Sequence, residues 1–395
     1  MALITPLCAL ILGPQTAAPT TTVPFRIAEN AIIVDAMING KGAALMFDTG
    51  FGAAVVLNDA IRIGKQTGSI TLQDFVGTFQ APTVKITSLK LGDMKIDTKD
   101  LSEAVLGRED YSFSYGMHCD GIMGFEVIKN NITGISYQKS RFEFYPKTVD
   151  ISKWVPDNKR TFLAKLLPTG HSSMEMSVET PAGKRLVLAL DTGNAFYATT
   201  HKDVLERVGL WSASAEPKFI KQSFVASGAV DSWSLKLKDM KIFGVPVSAG
   251  VWDIIDLPSS SAEGDGTVGF GFLHNFNIII DYDRRRVWLE NYTGKTADDE
   301  VGDPGIAAMG DKRDDVRILR VAPGSPAEKA GLKRGDKILS VDGVDLDGHI
   351  GYRKMRRMLE GPVGSKIQVA VSSGGSLKRM ELERVGLYNE PVVGQ

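Results

Sequence analysis

Phe47-Asp48-Thr49-Gly50 and Leu190-Asp191-Thr192-Gly193 are one phrase written twice, 143 residues apart. Working outward, Leu89-Lys90-Leu91-Gly92-Asp93-Met94-Lys95-Ile96 is matched 146 residues later by Leu235-Lys236-Leu237-Lys238-Asp239-Met240-Lys241-Ile242. Asp120-Gly121-Ile122-Met123-Gly124-Phe125 is matched 145 residues later by Asp265-Gly266-Thr267-Val268-Gly269-Phe270. Tyr137 and Tyr282 keep the same spacing of 145. Four matches in one order, with nearly equal offsets, define an internal repeat. The chain carries two copies of one β-rich unit, about 25–145 and 160–291.

Each copy reads as strands. Ala31–Ile38 is apolar and β-branched, Asn39-Gly40 is a hairpin turn signal, and Ala43–Phe47 runs straight into Asp48. In the second copy Ser173–Glu179 and Arg185–Leu190 flank Pro181-Ala182-Gly183 in the same way. A short helix is predicted from about Lys202 to Val208, stopped by Gly209. Ile278–Asp281 and Arg286–Leu289 form a last hairpin.

An aspartate directly after an apolar strand sits at the edge of the core and points into a cleft. The threonine after it can hydrogen-bond main chain of the other loop, and the glycine lets main chain approach the carboxylate closely. Two such loops brought together set two carboxyl groups side by side. Like charges at about 3 Å cannot both ionise, so the pair holds one proton between them. One member is then a base toward water and the other an acid toward a carbonyl oxygen.

The paired Asp-Thr-Gly loops, each followed by a Gly-ended motif (Ile122-Met123-Gly124 and Thr267-Val268-Gly269), resemble the pepsin/retropepsin superfamily of aspartic peptidases. The resemblance covers about 25–291 and is nearest to bacterial retropepsin-like proteins with two lobes in one chain and an attached PDZ domain. It implies a mainly β, bilobal pepsin/retropepsin-like acid protease fold, with two repeated β-barrel-like lobes at 25–150 and 160–291. It implies an aspartic endopeptidase with Asp48 and Asp191 catalytic. Thr49, Gly50, Thr192 and Gly193 would support the loops, and Gly124 and Gly269 would brace them from behind. The substrate would be an extended polypeptide lying across both lobes. A flap is expected from Phe75-Val76-Gly77-Thr78-Phe79 with Gly77 at its tip, and Ala226-Ser227-Gly228-Ala229 is its counterpart. Because both copies lie on one chain, dimerisation is not required for the active site. Phe51 and Asn194 stand where the superfamily has Ser, Thr or Ala, and Thr267 stands where the bracing motif is aliphatic. Asn194 could reach the outer oxygen of a carboxylate, whereas the Phe51 side chain could not.

Asn291–Pro304 is polar and reads as a linker, assigned to 292–304. Beyond it Val316–Val321 is a strand, and Ser325-Pro326-Ala327-Glu328 carries a cap, a first-turn proline and a glutamate three residues on. Lys337–Asp342, a helix His349–Leu359 closed by Gly361, and strands Ile367–Ser372 and Leu377–Leu382 follow. The run Val321-Ala322-Pro323-Gly324-Ser325-Pro326-Ala327-Glu328-Lys329-Ala330-Gly331-Leu332-Lys333-Arg334-Gly335-Asp336-Lys337-Ile338-Leu339 resembles a PDZ domain of the kind attached to bacterial proteases, assigned to 305–386. The resemblance implies capture of a C-terminal peptide tail by strand addition, at Gly305, Ile306 and Ala307. A second function class is a catalytically silent peptide-binding adaptor acting through that groove.

Composition bounds the partners. Of 395 residues, 46 Lys and Arg balance 47 Asp and Glu for a net charge of −1, which argues against nucleic acid as main partner. No apolar run reaches the roughly 18 residues a membrane span needs. Leu7–Leu12 followed by Thr16-Ala17-Ala18 resembles a secretory signal over 1–18. The expected location is exported, periplasmic or extracellular, and cytoplasmic if that segment is not a signal. Of the two cysteines, Cys119 reads as a small buried apolar residue. The five histidines show no zinc spacing, and no metal or other cofactor is expected. Gly264-Asp265-Gly266-Thr267-Val268-Gly269 fits a dinucleotide fingerprint by letter, but the repeat aligns it with the bracing motif instead. Arg353-Lys354-Met355-Arg356-Arg357 reads as a solvated helix face.

Overall fold

Each copy builds a sheet around the strand that carries its aspartate. In the computed structural model, which describes residues 18–73, 78–107, 109–168, 173–225, 228–259 and 264–392, strand Lys41–Asp48 pairs antiparallel with Ala31–Ile38. On its other side it pairs parallel with Gly121–Gly124, followed by Val55–Asn58 and Ala104–Gly107. In the second copy Arg185–Leu190 pairs antiparallel with Glu175–Glu179 and parallel with Gly266–Val268. Ala198–His201 and Val245–Ile255 follow. Strand order and direction are the same in both, as the repeat predicts. The Asn39-Gly40 turn has both residues left-handed, at φ 48° and 78°, which matches the twist of a two-residue hairpin. Residues 1–17 of the signal-like segment and Gly77 of the expected flap lie outside the described residues.

A third sheet joins the copies. Its six strands run in the order Thr21–Pro24, Arg141–Tyr145, Ile132–Ser136, Phe276–Asp281, Arg286–Asn291 and Thr161–Lys165. At its centre Gly134 faces Ile279, its own counterpart in the repeat. One apolar core runs through both copies. Phe142 packs edge-on to Phe47 with ring centroids 5.0 Å apart, and Tyr137 of the first copy meets Phe270 of the second at 5.7 Å. Cys119 is buried as a free thiol, and burial pushes it up to about 11.

The C-terminal module has a separate core and a sheet ordered Ile306–Gly310, Val316–Val321, Lys337–Val341, Lys366–Ser373 and Ser376–Glu383. Ser325 Oγ accepts from the Glu328 N–H at 3.2 Å, and the Glu328 carboxylate accepts from the Gly324 N–H at 2.7 Å. The longer helix spans Tyr352–Leu359, shorter than the predicted His349–Leu359. Gly351 is extended there because the chain presses on the first copy: a Cβ on it would lie 2.2 Å from the Phe113 carbonyl oxygen. The stretch read as a linker is docked rather than free. Val301–Gly302 pairs with Gly361–Pro362, and Asp303 holds Lys221 Nζ at 3.0 Å.

Candidate functional site

Asp48 ends its strand, Asp191 directly follows the equivalent one, and the two meet at the junction of the copies. Thr49 and Thr192 fix the meeting. Thr49 Oγ1 donates to the Leu190 carbonyl at 2.6 Å and accepts from the Thr192 N–H at 3.0 Å. Thr192 Oγ1 donates to the Phe47 carbonyl at 2.8 Å and accepts from the Thr49 N–H at 3.1 Å. Both threonines are fully buried. Each hydroxyl therefore satisfies two main-chain groups that would otherwise be orphaned in the core.

The glycines let each loop approach the other's carboxyl. A Cβ on Gly193 would sit 2.4 Å from Asp48 Cγ, and one on Gly50 would sit 2.8 Å from Asp191 Cγ. Asp48 Oδ1 accepts from the N–H groups of Gly50 and Phe51 at 2.8 and 3.2 Å. Asp191 Oδ1 accepts from Gly193 and Asn194 at 2.8 and 3.1 Å. Behind the loops, a Cβ on Gly124 would overlap the Ala53 carbonyl at 1.9 Å, and one on Gly269 would meet the Phe196 carbonyl at 2.4 Å. The two bracing strands therefore tolerate nothing larger than glycine at their ends.

Burial, then the charge of Asp191 and a hydrogen bond with it, holds the Asp48 carboxyl well above the usual carboxylate range. Burial also raises Asp191, against hydrogen bonds from Asp48, from loop N–H groups and from Thr267 that favour its charged form. Burial thus favours the protonated form in both, and the charge of Asp191 adds to that at Asp48. The pair can take a proton and give one at the same place. Among the described residues no group of three or more His, Cys, Asp or Glu could hold a metal.

Asn194 behaves differently from expectation. Its side chain turns away from the carboxylate: Nδ2 donates to Thr199 Oγ1 at 2.9 Å and Thr267 Oγ1 at 2.7 Å, and Oδ1 accepts from Phe196 N–H at 2.9 Å. Of the side chains around Asp191, the Thr267 hydroxyl favours its charged form. The hint was its place in a motif that is otherwise aliphatic.

Gly305, Ile306 and Ala307 lie at the start of the module's edge strand. Gly305 has φ 90°, its N–H is taken by Asp303 Oδ1 at 2.6 Å, and a Cβ on it would collide with Ser325 Cβ at 2.2 Å. Ile306 points into the module core and is 6% exposed. The three residues border a cavity of about 190 Å³ whose opposite wall is second-copy main chain and side chains, including Ser223 and Asp253. Burial pushes Asp253 up to about 6. The edge expected to take a tail thus borders the second copy.

The run Arg353–Arg357 is a solvated face only in part: Lys354 and Arg357 are exposed, but Arg353 and Arg356 are half-buried. Arg356 Nε reaches Glu360 Oε1 at 2.6 Å, and its guanidinium lies 4.4 Å over the Phe196 ring. Arg353 donates to the Gly193 carbonyl at 2.9 Å. Helical periodicity cannot foresee this, because the partner surface belongs to another module.

Residues 317–372 match the PDZ domain family. The chain is 35% identical over 81 residues to the chloroplastic C-terminal processing peptidase of Tetradesmus obliquus, which is 20% of this chain and 17% of that protein. It is 33% identical over 75 residues to the chloroplastic carboxyl-terminal-processing peptidase 2 of Arabidopsis thaliana, 19% of this chain and 14% of that protein. It is 29% identical over 97 residues to the putative serine protease HhoA of a Synechocystis strain, 25% of this chain and 21% of that protein. The chain thus spans about a fifth or less of the curated relatives it matches. Among solved structures, the photosystem II D1 C-terminal processing protease aligns with 31% identity and a TM-score of 0.22, over 23% of this chain and 25% of that one. The aspartic proteinase from Irpex lacteus aligns with 15% identity and a TM-score of 0.41, over 70% of this chain and 98% of that one. These relatives correct the expected aspartic-type endopeptidase and its silent-adaptor alternative. The proteins sharing sequence with the chain are processing peptidases and a putative serine protease. The physical reason is that a carboxyl pair supplies acid–base capacity and does not by itself assign an enzyme type. Residues 317–372 are a PDZ domain.

Proposed function

We propose that the chain is a PDZ-carrying protease, a hydrolase of polypeptide, with its reactive centre at the Asp48–Asp191 pair. The observation that carries this reading is the meeting of the two carboxyls at the junction, where the glycine of each loop lies against the carboxyl of the other. Two lobes, 25–150 and 160–291, make the centre. Thr49, Gly50, Thr192 and Gly193 hold its loops, Gly124 and Gly269 brace them, and Gly77 is the flap tip. The PDZ module, 305–386, receives an extended tail at Gly305, Ile306 and Ala307. The match to peptidases that process C-termini supports a polypeptide as the thing acted upon. The signal-like N-terminal segment supports export, and sequencing of the secreted protein should then begin at Pro19.

The test is hydrolysis of an unfolded protein by the full chain. Asp48→Asn and Asp191→Asn should each lower turnover at least about 100-fold, and a fluorophosphonate is applied beside them. Loss of turnover to the fluorophosphonate, with both Asn variants still active, would move the centre to a serine and sink the assignment of these aspartates.

A further inference from the structure

The PDZ helix Tyr352–Leu359 has two sides with different employment. Met355 and Leu359 are buried in the module's own core. Arg353 and Arg357, on other positions, reach across to the two copies. Arg353 Nη2 donates to the Gly193 carbonyl at 2.9 Å and Nη1 to the Glu29 carbonyl at 3.3 Å. Its guanidinium lies 5.1 Å above the centre of the buried Tyr115 ring. Arg357 stands 3.3 Å from Glu29 Oε1, on a carboxylate side chain only 8% exposed. The helix is held from the side as well, where Tyr352 Oη donates to the Gln222 carbonyl at 2.6 Å and its ring lies 4.5 Å from that of Phe224.

The Gly193 carbonyl is not a casual partner. The main chain at Gly193 runs close beside the Asp48 carboxyl, as the 2.4 Å clash of an added Cβ with Asp48 Cγ shows. An extended polypeptide laid across the carboxyl pair binds through main-chain hydrogen bonds, and the acceptors beside the pair are what its N–H groups would use. Arg353 already fills one of them, with a charged donor that makes the stronger kind of hydrogen bond.

We propose that the PDZ domain is an internal restraint on the Asp48–Asp191 centre, its helix held over the second aspartate loop by Arg353 on Gly193 and Arg357 on Glu29. This rests on the reading of that pair as a reactive centre for polypeptide. In the restrained chain the substrate's main chain and the helix compete for the same edge of the site. Release of the helix, without any change in the carboxyls, raises turnover.

The test compares the full chain with Arg353→Ala and with the milder Arg357→Ala. Hydrogen exchange should quicken at the amides of 111–116 and 194–197 in both variants. Cleavage of an unfolded protein should rise in parallel, on the order of ten-fold for Arg353→Ala, and Arg353→Lys should restore part of the restraint. Unchanged exchange in both variants overturns the proposal. So does quickened exchange with cleavage equal to or below that of the parent chain, which leaves the protease reading standing. Quickened exchange with no cleavage by any form overturns the protease reading and the restraint with it.

Discussion

Thr49 and Thr192 exchange hydrogen bonds across the junction of the two repeats, each hydroxyl accepting the other's N–H and donating to the carbonyl two residues before the other. Replacing either by alanine leaves a buried N–H and a buried carbonyl unpaired, which costs about 2–4 kcal/mol. Thr49→Ser and Thr192→Ser keep the hydroxyl and should cost about 1 kcal/mol. Urea denaturation checks this, and equal losses for Ala and Ser would count against the exchange.

The glycine contacts separate two effects. Gly124→Ala drives a Cβ into main chain at 1.9 Å, where nothing flexible can yield. It should destabilise by about 3 kcal/mol or prevent folding. Gly193→Ala pushes on the Asp48 side chain instead, so it should cost less stability, about 1–2 kcal/mol, yet reduce hydrolysis at least about 100-fold. Melting curves beside turnover distinguish them. A Gly193→Ala chain with normal turnover would refute the close approach.

Asp48 gives stability a pH dependence of definite sign. Its carboxyl keeps a proton to higher pH in the folded chain than in the unfolded one, because burial and Asp191 oppose its charge. Its contribution is therefore fully favourable below the ordinary carboxylate pKa and is lost as pH rises through the folded value, with a slope of up to about 1.4 kcal/mol per pH unit. Asp253, pushed up to about 6 by burial, adds the same sign. Stability measured from about pH 4 to pH 6 should fall more gently in Asp48→Asn than in the parent, and more gently still with Asp253→Asn added. Parallel profiles would be the contrary result.

Thr267 tunes the pair. Its hydroxyl favours charged Asp191, and Asn194 Nδ2 holds that hydroxyl in place. Thr267→Val should move the acidic limb of the pH–rate profile upward, and Asn194→Ala should do so by less. A shift downward would contradict the assigned hydrogen bond.

The repeat was legible because duplication left its phrases in order, and the pairing of Lys41–Asp48 with Gly121–Gly124 and of Arg185–Leu190 with Gly266–Val268 follows from it. The cap at Ser325 was legible because capping is local. What stayed hidden was contact between distant stretches. Nothing near Arg353 in sequence announces Gly193, and nothing near Asn194 announces that its amide prefers Thr199 and Thr267 to a carboxylate. The linker composition of 292–304 gave no sign that Asp303 would hold Lys221. The enzyme type was not legible either: the Asp-Thr-Gly loops gave the placement of two acids, and the shared-sequence relatives name other kinds of peptidase.

Gly134 facing Ile279 has a consequence for the nascent chain. Strand Ile132–Ser136 pairs on one side with Arg141–Tyr145, but its other edge waits for Phe276–Asp281. During synthesis that edge stays open while some 140 further residues are made, several seconds at least at ribosomal speed. An open apolar edge invites pairing with the wrong strand, so a ribosome-associated or translocation chaperone should be found holding the half-made chain.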